Sequence, residues 1–317
     1  MESSENIGWY WDEVHLQHDS GHGHPESAHR YRVLGDDLIP EAEKLGATRI
    51  KAREIDRAEL LRCHTPEYLD IVQTDLADGA RQLRTGDTPL SAGSGVAAAA
   101  AVGAGLAAVD AVMRGQLQRA FLAVRPPGHH ATPDRGMGFC IYNTIALMAR
   151  HAIAKHACKR VLIIDWDVHH GNGTQDCFYE APDVFFFSTH QEWLYPGTGA
   201  KEETGKGPGM GTNMNVPLPA GTGGGPILDA IQGPLAENMQ SFKPDLVLVS
   251  AGFDSRVDDP LGGFTVTDDD FASLTRAVRA IADAHAQGRV ISILEGGYNP
   301  AGLASASVAH LRAMAED

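Results

Sequence analysis

The sequence lacks the marks of several large protein classes. Only four cysteines, Cys63, Cys140, Cys158 and Cys177, occur in 317 residues. They form no CxxC pair and no dense framework, so a disulfide scaffold is excluded and reduced thiols in the cytoplasm are expected. No GxxxxGK[ST] or post-strand GxGxxG is present, so the glycine-rich segments Gly205–Gly211 and Gly221–Gly225 read as loops, not phosphate cradles. Without a GxSxG elbow, a serine hydrolase has no nucleophile. The start, MESSENIGWYW, has neither a basic patch nor an apolar segment, and no secretory leader is expected. No apolar run reaches the roughly 18 residues of a membrane span. The longest, Val96 to Val109, is mostly Ala and Gly and reads as a tightly packed helix. Positive charge is scarce: 26 Lys and Arg face 41 Asp and Glu, a net charge of −15. That argues against a nucleic-acid partner and is compatible with a cationic substrate.

What is present suffices for a large core. Apolar residues make up 43% of the chain, and its length suits one large α/β domain spanning residues 1–317. Apolar, β-rich runs lie at Phe121–Val124, Val161–Ile164, Val184–Ser188, Leu246–Ser250 and Val290–Leu294. Helical patterns lie at Gly95–Met113, Asn143–His156, Pro226–Phe242, Thr267–Ala286 and Ala301–Glu316. This alternation predicts a parallel sheet covered by helices on both faces.

Four of the strand-like runs end in residues that chemistry uses. AFLAV leads into RPPGHH, VLIID into WDVHHGNG, LVLVS into AGFD, and VISIL into EGGY. In a parallel sheet such ends share one edge, where open α/β folds bind ligands. Asp167 and His169 are two residues apart, so in extended backbone they point the same way. A carboxylate and an imidazole aimed together are half of a divalent metal site, and Asp254 is the candidate for the rest.

The segments RPPGHH (Arg125–His130), GFCIYN (Gly138–Asn143), DWDVHHGNGTQ (Asp165–Gln175), SAGFD with DPLGG (Ser250–Gly263) and LEGGYN (Leu294–Asn299) resemble the zinc-dependent histone deacetylase family. They occur in that family's order and cover about residues 24–299. The HHGNGTQ wording resembles its class II branch, which includes bacterial histone deacetylase-like amidohydrolases. The resemblance implies an arginase-like fold with a parallel sheet of about eight strands. It implies one Zn2+ held by Asp167, His169 and Asp254, an oxygen-rich set that also suits Fe2+. By the same resemblance His130 is the general base and then acid, oriented by Asn172, and His129 is its electrostatic partner, held by Asp165. A neutral amide stabilises imidazolium less than a carboxylate does, so His130 is expected to titrate low. Tyr298 corresponds to the family's oxyanion donor.

The resemblance also places Phe139 and Tyr195 on the walls of a narrow tunnel and gives the Gly138 carbonyl to the substrate amide. Asp87 would grip substrate backbone, and Arg30 would line an internal acetate channel. A structural K+ would sit among Asp165, Asp167, His169, Ser188 and Thr189, and a second alkali ion among Phe178, Ala181 and Val184. The implied partner is an acylated lysine in a peptide or protein. An acetylpolyamine amidohydrolase is the alternative, but its class II relatives carry glutamate where this chain has Leu261. An arginase-like site needs an aspartate where Arg256 stands. A non-catalytic reader would have lost the histidines or the tyrosine. The His-rich stretch His15–Glu26 has no regular ligand spacing. Association of identical chains is left open.

Overall fold

A computed structural model describes residues 6–316. Residues 1–5, part of the segment on which the leader reading rests, and residue 317 lie outside them. The strands are β1 (Ile7–Tyr10), β2 (Thr48–Arg49), β3 (Arg119–Leu122), β4 (Val161–Asp165), β5 (Val184–Gln191), β6 (Asn213–Leu218), β7 (Leu246–Ala251) and β8 (Val290–Leu294). They form one sheet in the order β2-β1-β3-β8-β7-β4-β5-β6, and every pairing is parallel. The last two strands enter the middle, between β3 and β4. The loops after β3, β8, β7 and β4 are therefore neighbours on one edge, as the sequence grammar required.

Each central strand is buried on both sides, which is why it reads as an unbroken apolar run. Side chains still alternate. Leu162, Ile164, Val247 and Val249 face one core cluster, with Leu34 and Leu38 of α1 (Ala28–Lys44), Phe271 and Leu274 of α9 (Asp268–His285), and Leu303 and Leu311 of α10 (Pro300–Ala315). Val161, Ile163, Leu246 and Leu248 face the other, with Ala104 and Ala108 of α4 (Ser94–Met113) and Ile145 and Met148 of α5 (Thr144–His156). The smaller helices are α2 (Arg57–Leu60), α3 (Pro66–Ala77), α6 (Asn172–Phe178), α7 (Gly224–Ala230) and α8 (Ala236–Phe242).

Two points differ from the sequence reading, and one agrees with it. The run Val96–Val109 is the packed helix it reads as: it lies within α4, a 20-residue helix that by length and composition alone could cross a membrane but is mostly buried in this fold. Gly103 lets it approach so closely that a Cβ there would strike the Arg53 carbonyl. The pattern Pro226–Phe242 is two helices, α7 and α8, joined by a wider π turn at Ile231–Leu235. Pro234 sits in that turn and has no N–H to give. Finally β1, β2 and β6 lacked long apolar runs. β2 is two exposed residues, and β6 is an edge strand carrying Pro217.

Several histidines serve the interior. His15, His64, His190 and His310 are all buried. Burial pushes them from about 6.5 down to about 4, and to about 3 for His310, which bridges Thr275 Oγ1 and Ser292 Oγ. The unfolded chain binds their protons first as pH falls, so their contribution to stability is complete above about 6.5 and declines toward 4. The urea midpoint is expected to drop through that window. His310→Gln, which keeps a hydrogen-bonding side chain but does not titrate, should make the drop shallower; an unchanged slope would remove His310 from this account.

Candidate metal centre and active site

Strand β4 ends at Asp165, and the chain then bends through Trp166–His170. The convergence of Asp167 and His169 therefore comes from this bend and not from strand alternation. The His169 N–H donates to Asp167 Oδ1 at 2.9 Å, and His169 Nδ1 lies 3.1 Å from that oxygen and 3.3 Å from Asp254 Oδ2. Asp254, just past β7, is fixed by the Val168 N–H on its other oxygen. Asp167 Oδ2 accepts from the Gly296 N–H just past β8. Three loops thus build one cluster in which the ligand atoms of Asp167, His169 and Asp254 lie within 4.8 Å of one another.

The donor set fits a divalent cation. Asp254 Oδ2 is buried and has no hydrogen-bond partner. A Cβ at Gly296 would collide with that oxygen, and one at Gly252 with Asp167 Oδ2, so two glycines keep the space beside the carboxylates clear. The ionisations show the same demand for positive charge. Burial and the nearby Asp167 push the Asp254 carboxyl up to about 7. Burial alone would lower His169, but its hydrogen bond to Asp167 and the charge of the adjacent Asp254 carboxylate hold it at about 10. Two buried carboxylates this close require a cation, and a dication can take the place of a proton.

Beside the cluster lie the tandem histidines, in the loop after β3. His129 Nδ1 meets Asp165 Oδ2 at 2.9 Å, and its Nε2 lies 3.8 Å from Asp167 Oδ2. Burial opposes its charge, but Asp165, Asp167 and Glu295 outweigh burial and hold it well above its ordinary value. His130 Nδ1 meets Asn172 Oδ1 at 2.8 Å, at the first position of α6. Burial, then the neighbouring His129 and His169, push it well below its ordinary value. The hydrogen bond to Asn172 acts in the opposite direction, so the low titration of His130 comes from burial and the neighbouring imidazoles and not from the amide.

A cavity of about 270 Å³ leads to these groups, lined by Asp87, His130, Gly138, Phe139, His169, Leu194, Tyr195, Leu261 and Tyr298. Phe139 has φ 68° and follows Gly138 at φ 56°, two successive left-handed residues. Such strain in a bulky residue persists only where its surroundings fix it. Here the Asp87 carboxylate accepts the Gly138 N–H at 2.7 Å, and the His130 ring fills the space a Cβ on Gly138 would need. The Tyr195 ring stands edge-on to His130, with its hydroxyl 3.4 Å from Asp87 Oδ1. Phe139 meets the Tyr298 ring edge-on.

Arg30 is not on the cavity wall. It is fully buried, with its guanidinium over the Tyr298 ring at 5.3 Å, and donates to the Glu295 and Gly297 carbonyls. Ser188 pairs with Asp165 across β4 and β5, next to Thr189, whose buried hydroxyl lacks a partner. Phe178, Ala181 and Val184 lie around the opposite end of β5. In the His-rich stretch, His15 and His18 join a buried network in which Glu26 bridges Arg125 and Arg30. A second His/Asp cluster lies elsewhere, where His151 and His156 share Asp110 Oδ1. Arg62 donates to His151 Nδ1, so the other nitrogen carries the proton toward Asp110.

Three residues had no role in the sequence reading. Glu295 accepts the Gly128 and His129 N–H groups on Oε2 and the Ser250 hydroxyl on Oε1. Asp259 accepts the N–H groups of Leu261, Tyr298 and Asn299. Leu194 adds apolar wall. Both acids stand inside quoted motifs, so their positions were visible, but their partners are backbone groups brought in by other loops.

Comparison with known proteins agrees with this geometry. Residues 24–314 match the histone deacetylase domain. The chain is 45% identical over 219 residues to Histone deacetylase 14, chloroplastic, of Arabidopsis thaliana, covering 68% of this chain and 52% of that protein. It is 38% identical to the Histone deacetylase-like amidohydrolase of Pseudomonas aeruginosa, covering 90% and 75%. The chain thus spans about half the length of the plant relative. The crystal structure of the HDA15 HD domain superposes with a TM-score of 0.92 at 34% identity, covering 99% of this chain and 89% of that one. The chain belongs to the histone deacetylase family of amidohydrolases.

Proposed function

We propose that the protein is a zinc-dependent deacylase that removes acetyl or other acyl groups from the ε-amine of lysine in peptides or proteins. The observation that carries this reading is a narrow apolar cavity ending at two differently tuned histidines and the Asp167–His169–Asp254 cluster. Phe139, Leu194, Tyr195 and Leu261 suit a four-carbon lysine stem. The Gly138 carbonyl accepts only a weak Cys140 thiol hydrogen bond, leaving capacity for the substrate amide N–H.

Asp167, His169 and Asp254 would hold the ion, which when bound supplies Lewis-acid polarisation of the amide carbonyl and a water acid enough to attack it. His130, kept neutral and with Nδ1–H directed at Asn172, has Nε2 ready to take that water's proton. It then returns a proton to the leaving lysine amine. His129, held cationic by Asp165, stabilises negative charge as it develops. The Tyr298 hydroxyl, held neutral by burial, donates to the oxyanion. Arg30 supports this from behind the Tyr298 ring.

Three measurements test the reading. Asp254→Ala should lose both bound zinc and amide hydrolysis while remaining folded; a folded variant that keeps a full equivalent of zinc by metal analysis would sink the ligand assignment. Tyr298→Phe should lower kcat by roughly 10²–10³ with zinc retained, the loss expected for one oxyanion donor. Near-wild-type turnover would make Tyr298 structural.

Substrate choice rests on Leu261, which offers no charge to a second ammonium at the cavity. Acyl-lysine peptides should be hydrolysed with higher kcat/KM than acetylspermidine or acetylputrescine, and Leu261→Glu should narrow the gap by about 1–3 kcal/mol. The net charge of −15 attracts any polycation, so the comparison is repeated at high salt, where diffuse attraction is screened. A preference for acetylpolyamines that survives high salt would replace the lysine reading with the polyamine one.

A further inference from the structure

We propose that Cys63 and Cys177 form a reversible disulfide when the protein meets a two-electron oxidant such as hydrogen peroxide. The bond would staple together the two supports of the tandem-histidine loop. No local pattern signals this pair, because the two residues are 114 positions apart. The fold places their Sγ atoms 2.8 Å apart. A disulfide bond is about 2.05 Å long, so closure needs less than an ångström of approach. Both residues are partly exposed. The other two cysteines are buried, and their thiols are committed to carbonyls: Cys140 to Gly138 and Cys158 to Arg160.

The location gives the bond its consequence. Cys63 lies between Arg62, which donates to His151, and His64, whose ring spans the Thr132 carbonyl and the Asn143 N–H. The next residue, Thr65, donates its N–H to the Pro133 carbonyl. This short segment therefore anchors the far side of the loop that carries His129 and His130. Cys177 lies on α6, the helix whose first residue, Asn172, meets His130 Nδ1. Its carbonyl is held by Arg150, whose guanidinium also covers the adjacent Phe178 ring. A Cys63–Cys177 bond would join the anchor of the loop to the helix that orients its general base.

The chemistry balances with peroxide alone. Its hydrogen bond to Cys63 Sγ and its burial push the Cys177 thiol up, which makes Cys177 the poorer first nucleophile. Cys63 Sγ attacks the peroxide O–O bond, giving a sulfenic acid and one water. Cys177 Sγ then displaces the sulfenic hydroxyl, which leaves as a second water with the Cys177 proton. Two thiols and one peroxide give one disulfide and two waters, with two electrons passing from sulfur to oxygen. A dithiol reductant reverses the bond by exchange.

The test uses the full-length protein, reduced and then exposed to hydrogen peroxide. Mass spectrometry should show the loss of two hydrogens per chain and a crosslinked peptide pair containing Cys63 and Cys177. The oxidised form should melt several degrees higher than the reduced form, because the bond closes a long loop in the unfolded chain. Dithiothreitol should reverse both changes. C63S and C177S should each abolish them, and C158S should retain them. Oxygen adducts without a crosslink, a crosslink to Cys140 or Cys158, persistence of the crosslink in C63S, or an oxidised form no more heat-stable than the reduced one would each overturn the proposal.

Discussion

Two carboxylates, Asp167 and Asp254, are almost wholly removed from water at the edge of the sheet, beside the His169 ring. Isolated charges in such a place cost many kilocalories per mole unless a cation and hydrogen bonds compensate them. Much of the surrounding structure answers that demand. The N–H groups of Val168, His169 and Gly296 point at carboxylate oxygens, and Gly252 and Gly296 stay small because a Cβ would fill the space beside them. The parallel sheet makes this affordable by aligning four strand ends on one edge, so that three loops contribute to one cluster.

The same negative centre divides the labour of the two histidines. Adjacent imidazoles in one loop would titrate alike in water. Here His129 faces Asp165, Asp167 and Glu295 and holds its proton, and that charge, with burial, keeps His130 neutral. The fixed partners on their Nδ1 atoms, Asp165 and Asn172, come from either side of the bend after β4. Glu295 secures the arrangement by taking the backbone N–H groups of Gly128 and His129. A base and an electrostatic partner thus arise from one residue type through environment alone.

The cavity depends on a similar coupling. Asp87 holds the Gly138 N–H and approaches the Tyr195 hydroxyl, so one acid touches both walls. Asp259 holds the backbone of Leu261 and Tyr298, linking the rim to the proposed oxyanion donor. Beneath them the buried Glu26–Arg125–Arg30 network ties the His-rich segment to the loops after β3 and β8.

The order of motifs was legible because a strand buried on both faces must be apolar, and it must end in polar residues where the chain leaves the sheet. VLIID, LVLVSA and VISIL announced themselves, and Asp167, His169 and Asp254 followed from their ends. The start of the Thr267–Ala286 pattern was legible too, and Thr267 and Asp270 fix it by satisfying each other's backbone N–H groups locally. What depends on distant partners was not. The two-residue β2 exists only because β1 pairs with it, and Pro234 divides a helix that amphipathic spacing alone runs together. The sequence made Asp167 and His169 neighbours by strand alternation, but the bend after Asp165 and the approach of Asp254 bring them together. The placement of Arg30 behind Tyr298 is set by carbonyls more than 260 positions away. Sequence by itself determined which residue types could do the chemistry, because periodicity and strand ends are local. Tertiary structure decided which atoms meet and which of them keep a proton, because both depend on desolvation and on charges supplied by remote loops.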